Sequence, residues 1–121
     1  QRFSVFNTST VLSALGQTSV STNAWHFVAV SLTEATGAGG GFLYLDGAYD
    51  KVSGSDTFTS TYSSPSALAA DGNMEIGALG SGTSPISNLT RVAGVFAWSG
   101  TALTKANLDS IWGLQRTRFG V

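Results

Sequence analysis

The sequence predicts an all-β domain closed by one short C-terminal helix. Two observations predict it. Apolar residues recur with period 2 in short β-branched and aromatic runs bounded by Gly, Ser, Asn and Asp, and only one stretch, "LTKANLDSIWGLQ", spaces them for a helix. The chain of 121 residues is the size of one domain, able to bury about two-thirds of its unfolded surface in a single core.

Taken in order, the period-2 runs place strands at Phe3 to Phe6, Thr10 to Leu15, Trp25 to Leu32, Gly41 to Leu45, Ala48 to Val52, Thr57 to Thr59, Met74 to Ala78 and Leu89 to Trp98. The glycine-rich "GAGGG" at 37 to 41 reads as a flexible hairpin tip. In "LYLDGAYDKV", Asp46 and Gly47 suit the two central positions of a tight turn that needs positive φ, with Leu43 and Leu45 leading in and Val52 returning. Asp46 is therefore a turn residue before it is a ligand. Residues 53 to 72 are rich in Ser and Thr and read as a surface connection between sheets.

The strand "WHFVAVSL" is apolar on both faces. His26, Val28, Val30 and Leu32 share one face, and Trp25, Phe27, Ala29 and Ser31 share the other. "LTRVAGVFAW" behaves alike, Val92, Phe96 and Trp98 opposing Ala93, Val95 and Ala97. Something must cover the second face: the helix, a long loop, further N-terminal strands or a neighbouring subunit. In the helix, Thr104 is the N-cap, Leu108, Ile111 and Trp112 form the apolar stripe, and Gly113 marks the stop.

Composition excludes several functions. There is no cysteine, hence no disulfide framework and no thiolate metal site. Six basic residues stand against seven acidic ones, and charged residues make up only 11% of the chain. Arg116 and Arg118 are too few for a phosphate-tracking surface, so no nucleic-acid partner is expected. No apolar run approaches the ~20 residues of a transmembrane helix. A surface kept soluble by Gly, Ser and Thr suits an extracellular or virion protein. The first strand begins almost at Gln1, without a signal segment, so the chain reads as a processed product or a piece of a longer polypeptide.

The order "WHFVAVSL", "GFLYLDG", "MEIGALG", "ISNLTRVAGVFAWSGTALTKANLDSIW" resembles the concanavalin A-like, laminin-G-like jelly-roll superfamily. Its members carry a Trp-His strand, a Tyr-hydrophobic-Asp-Gly hairpin, a hydrophobic-Gly strand and a strand leading into an Ala-Leu-Thr helix. The resemblance covers about Asn23 to Leu114. It implies an antiparallel jelly-roll β-sandwich in which Trp25, His26, Asp46, Gly47 and Thr104 are structural residues. Only about 22 residues precede Trp25, so the chain looks like the C-terminal two-thirds of such a fold, or a compact variant.

Glucanases share that fold, but their Glu-x-Asp-x-x-Glu pattern does not occur here. Retaining hydrolysis needs two carboxyls ~5 to 5.5 Å apart, whereas Asp71 and Glu75, four positions along a strand, would stand about 13 Å apart. His26, the single histidine, lies in an apolar strand and reads as an imidazole bonded to backbone or a hydroxyl, not as a general base or zinc ligand. No catalytic residue is expected. Calcium is the one metal whose oxygen ligands are on offer, from Asp50, Asp56 and Asp71 in "ADGN". A glycan site would need an aromatic platform and polar neighbours: Tyr49, Tyr62 and Trp98 for the ring, Asp71 and Asn73 for the hydroxyls. Packing is the competing role, Trp98 beneath the helix and Tyr49 on the hairpin, which leaves Tyr62 least explained. The sequons at Asn7 and Asn88 matter only in a glycosylating host.

The expected function is that of a non-enzymatic jelly-roll module. One form is an assembly or decoration component of an extracellular or virion particle (phage capsid, fibre or tail), partnered by copies of itself or neighbouring structural proteins. The alternatives are a lectin-like module binding a cell-surface glycan or receptor, and a glycoside hydrolase fragment.

Overall fold

The computed structural model describes residues 2–7, 10–33, 37–60, 91–98 and 100–120. Strands β1 (Arg2–Asn7) and β2 (Thr10–Leu15) form an antiparallel hairpin registered from Arg2↔Leu15 to Asn7↔Thr10. Strands β3 (Val28–Leu32), β4 (Gly37–Leu45), β5 (Ala48–Tyr49) and β6 (Phe58–Ser60) form an antiparallel sheet centred on β4. β3 takes one edge of β4, while β5 and β6 share the other. Helix α1 (Lys105–Phe119) completes the described elements.

The Asp46-Gly47 turn forms between the paired residues Leu45 and Ala48. Asp46 has φ 48° and Gly47 φ 93°, the positive pair of a type I′ turn whose twist suits flanking strands. The same turn ends the β3 ladder. Val28 pairs with Leu45; beyond it the Asp46 N–H still donates to the Phe27 carbonyl at 3.0 Å, but the Phe27 N–H donates to the Asp46 carboxylate in place of a main-chain carbonyl. The expected strand from Trp25 therefore starts at Val28.

"GAGGG" is not a hairpin tip but part of β4, pairing with β6 at Gly37↔Ser60 and Gly41↔Phe58 across a register shift. A Cβ on Gly41 would stand 2.6 Å from Phe58 Cζ and 2.7 Å from the Ser31 carbonyl oxygen. Glycine lets the Phe58 ring lie against the strand itself.

Register sorts the sheet into two faces. Val28, Val30, Leu43 and Leu45 share one, and Ala29, Ser31, Phe42 and Tyr44 share the other. On the first, Leu43 is fully buried in a cluster with Ala14 of β2 and Phe58 of β6, flanked by Leu32 and Val52. Val28 and Val30 remain 54% and 36% exposed at the side of this face. On the second, Phe27 lies 6.0 Å from the Trp112 ring of α1, and the Ser31 hydroxyl donates to the Leu103 carbonyl at 2.7 Å. Helix α1 thus covers the second face.

Thr104 caps that helix. Its side chain accepts from the Asn107 N–H at 3.3 Å, and the Asn107 side chain accepts from the Thr104 N–H at 2.9 Å, forming a reciprocal capping box. Gly113, which the spacing marks as the stop, lies inside the helix with open space around it. The helix runs on because its buried side continues to Phe119, whose ring packs 5.4 Å from Trp25. Gly120, at φ 70°, takes the left-handed cap and donates its N–H to the Arg116 carbonyl.

Two further expectations change. The strand from Ala48 stops at Tyr49; Asp50 N–H makes one last bond to β4, to the Leu43 carbonyl, and the chain then pairs with the residues after β2, Gln17 N–H donating to the Lys51 carbonyl and Val52 bridging Gly16. Residues 91–98 belong to no strand, and Val92, Val95, Phe96 and Trp98 are all about half exposed. No backbone hydrogen bond joins this segment to the other described residues. The strand expected at Met74 to Ala78 lies outside the described residues, as do Leu89 and Thr90.

Candidate functional site

The chemistry-bearing side chains gather where the Asp46-Gly47 turn meets the chain entering β3. Positive φ at Asp46 swings its carboxylate back toward that chain. Asp46 Oδ1 accepts from the Phe27 N–H at 2.7 Å, and Oδ2 lies 2.6 Å from His26 Nδ1. On the other side of the imidazole, Nε2 lies 3.0 Å from the Ser21 carbonyl oxygen and 3.1 Å from the Ser21 hydroxyl. His26 and Asp46 side chains are 19% and 30% exposed.

Serine, histidine and aspartate stand in a row, Ser21 hydroxyl to His26 Nε2 and His26 Nδ1 to Asp46 Oδ2. A general base must present a bare Nε2 to the hydroxyl proton. Here Nδ1 faces a carboxylate, which only accepts, while Nε2 faces both the Ser21 carbonyl, which only accepts, and the Ser21 hydroxyl, which can donate or accept. The hydrogen bond to Asp46 is the main cause that raises the His26 pKa, aided by the Ser21 carbonyl and the Asp46 charge and opposed by burial. The cluster latches the entry loop to the turn. Sequence reasoning placed His26 on a backbone or hydroxyl partner and Asp46 in a turn, and missed the Asp46 carboxylate as the histidine's main partner.

The helix grips the same turn from the opposite side. Lys105 Nζ donates to the Gly47 carbonyl at 3.1 Å and to both Asp109 oxygens at 2.8 and 2.9 Å, and lies 5.7 Å from the Tyr44 and Tyr49 ring centres. Buried Tyr44 donates its hydroxyl to Asp109 Oδ1 at 2.8 Å. Burial, then the Asp109 carboxylate, pushes the Tyr44 hydroxyl well above the usual tyrosine range, while bonds from Lys105 and Tyr44 hold Asp109 below the usual carboxylate range. Gly47 sits so close to Trp112 that a Cβ there would be 3.0 Å from the indole nitrogen.

The calcium candidates do not form a cage. Asp50 is buried and its Oδ1 accepts from the Thr18 N–H at 2.9 Å. Asp56 faces outward, 3.7 Å from Lys51 Nζ with both side chains more than half exposed. Asp71 lies outside the described residues. Among the described residues, no three His, Cys, Asp or Glu side chains gather as a metal site would require.

Of the glycan candidates, Tyr62, Asp71 and Asn73 also lie outside the described residues. Tyr49 packs edge-on against Phe42 at 5.2 Å, on the hairpin. Trp98 does not pack beneath the helix. It is 52% exposed and stacks on Phe96, itself 54% exposed, with ring centres 6.0 Å apart. The physical reason is that α1 spends its apolar side on Phe27 and Trp25, which precede β3. Among the described residues, no helix is long and apolar enough to cross a membrane. No family model, curated protein or solved structure matches the chain.

Proposed function

We propose that this chain is a non-enzymatic module of the concanavalin A-like, laminin-G-like jelly-roll kind that acts in assembly. It serves as a structural or decoration component of an extracellular or virion particle, such as a phage capsid, fibre or tail, and its partners are copies of itself or neighbouring structural proteins. The observation that carries this reading is the apolar run at 91–98, where Val92, Val95, Phe96 and Trp98 are 48 to 54% exposed. Apolar surface of that kind, gathered in one segment, marks a place where another macromolecule binds. The antiparallel sheet, the type I′ hairpin and the capped helix support the jelly-roll kinship.

Light scattering on the purified chain tests it, with the polypeptide mass checked by mass spectrometry. A stable oligomer is the expected result, and a monomer at every concentration would overturn the assembly role. The exposed Phe96–Trp98 stack favours one second reading, a lectin-like module in which the two rings receive the apolar face of a sugar. Binding on a glycan array, retained with calcium removed and abolished by Trp98→Ala, would favour that reading instead.

A further inference from the structure

We infer that His26 is a two-position proton joint: when the imidazole loses its charge, the Ser21 hydroxyl takes over from the Ser21 carbonyl as the partner of Nε2, and the entry loop stays latched in both states. The inference is independent of the assembly reading. It rests on one placement, the carbonyl oxygen and the hydroxyl oxygen of a single residue both facing Nε2, at 3.0 and 3.1 Å.

Each state of the ring needs a different partner there. An imidazolium donates from both nitrogens, and the Asp46 carboxylate and the Ser21 carbonyl accept the two bonds. A neutral imidazole carries one N–H and one bare nitrogen. The carboxylate, 2.6 Å from Nδ1, keeps the remaining proton on that side, so Nε2 is the nitrogen laid bare. It then stands 3.0 Å from a carbonyl oxygen, lone pair against lone pair. The hydroxyl at 3.1 Å relieves this by donating to it. Only the hydroxyl hydrogen has to turn.

The charges around the joint are few. Asp46 is the charged group that acts on the ring. Lys105, on the helix side of the turn, is bound to the Gly47 carbonyl and to Asp109, and Arg118 of α1 lies over the Phe119 ring. What the joint secures is the seat of that helix, because His26 stands between Trp25 and Phe27, whose rings pack on Phe119 and Trp112.

The test is NMR titration of the imidazole, the only one in the chain, in wild type, Ser21→Ala and Ser21→Thr. Ser21 is exposed, so all three should fold alike by circular dichroism. Because the hydroxyl serves the neutral ring, Ser21→Ala should raise the proton affinity of His26 about fivefold, the worth of one net hydrogen bond. Ser21→Thr, which keeps the hydroxyl, should titrate as wild type. Above the midpoint the ring nitrogen shifts should show the proton on Nδ1. Hydrogen exchange gives the second readout: the Phe27 and Asp46 amides of Ser21→Ala should match wild type at pH 5.5 and lose about fivefold in protection relative to it at pH 8.5. An affinity that falls in Ser21→Ala means that the hydroxyl accepts from the imidazolium, and an unchanged one means that solvent serves Nε2 equally well. Either result overturns the inference, as does a neutral ring protonated on Nε2 or an equal loss of protection at both pH values.

Discussion

His26 Nδ1 lies 2.6 Å from Asp46 Oδ2, joining the chain that enters β3 to the turn that leaves β4 across 20 positions of sequence. The contact reinforces the end of the β3–β4 pair, where the Asp46 N–H donates to the Phe27 carbonyl at 3.0 Å and the Asp46 carboxylate accepts from the Phe27 N–H.

Because the His26 pKa is raised above 6.5, the imidazolium is bound more tightly in the folded state than in the unfolded one. Its contribution is fully present below about pH 6.5 and is lost as pH rises through the higher folded value. Denaturant melts at pH 5.5 and 8.5 should show the wild type losing more stability over that interval than Asp46→Asn, with the variant about 1 kcal/mol less stable at the lower pH. With only one histidine in the chain, its NMR titration should move toward 6.5 in the variant.

Tyr44 supplies the second pH dependence. Its raised pKa means the neutral phenol is favoured by folding, so stability is present below about pH 10 and falls as pH rises beyond it. Absorbance titration of the three tyrosines should show a component ionising late, coincident with unfolding, and Tyr44→Phe should remove it. Persistence of that component in Tyr44→Phe would assign it elsewhere.

Close approach makes two glycines irreplaceable. Gly41→Ala would press a Cβ on Phe58 and on the Ser31 carbonyl, and Gly16→Ala would overlap the buried Asp50 carboxylate. Each should cost about 1–3 kcal/mol by thermal or urea unfolding, whereas Gly113→Ala, in open space within α1, should stabilise by about 1 kcal/mol or less.

At the helix start, Thr104→Ala removes the side-chain acceptor of the capping box and should lower stability by about 1 kcal/mol, with Thr104→Ser retaining most of it. Leu43→Ala, in the fully buried centre of the sheet, should cost about 2–5 kcal/mol on the same assay.

Elements governed by near neighbours were legible. The Asp46-Gly47 turn follows from the rarity of residues that tolerate positive φ, and the Thr104 cap from a hydroxyl three residues before a free N–H. The strand cores Thr10–Leu15 and Gly41–Leu45 follow from alternation. Gly113 misled because glycine's helix cost is small beside the packing of Phe119 on Trp25 farther along. The 91–98 run misled because alternation records the capacity to be buried on two sides, whereas here Val92, Val95, Phe96 and Trp98 are about half exposed.

The sequence by itself determined the class of the fold, the hairpin, the capped helix and the absence of cysteine chemistry, since each depends on residue type or on spacings of a few positions. Tertiary structure alone decided that Asp46 turns its carboxylate onto His26, that Lys105 and Trp112 grip the Asp46-Gly47 turn, and that Trp98 stands in solvent beside Phe96. The first two depend on surfaces 20 to 65 positions apart that fold against one another, and no local pattern encodes that choice.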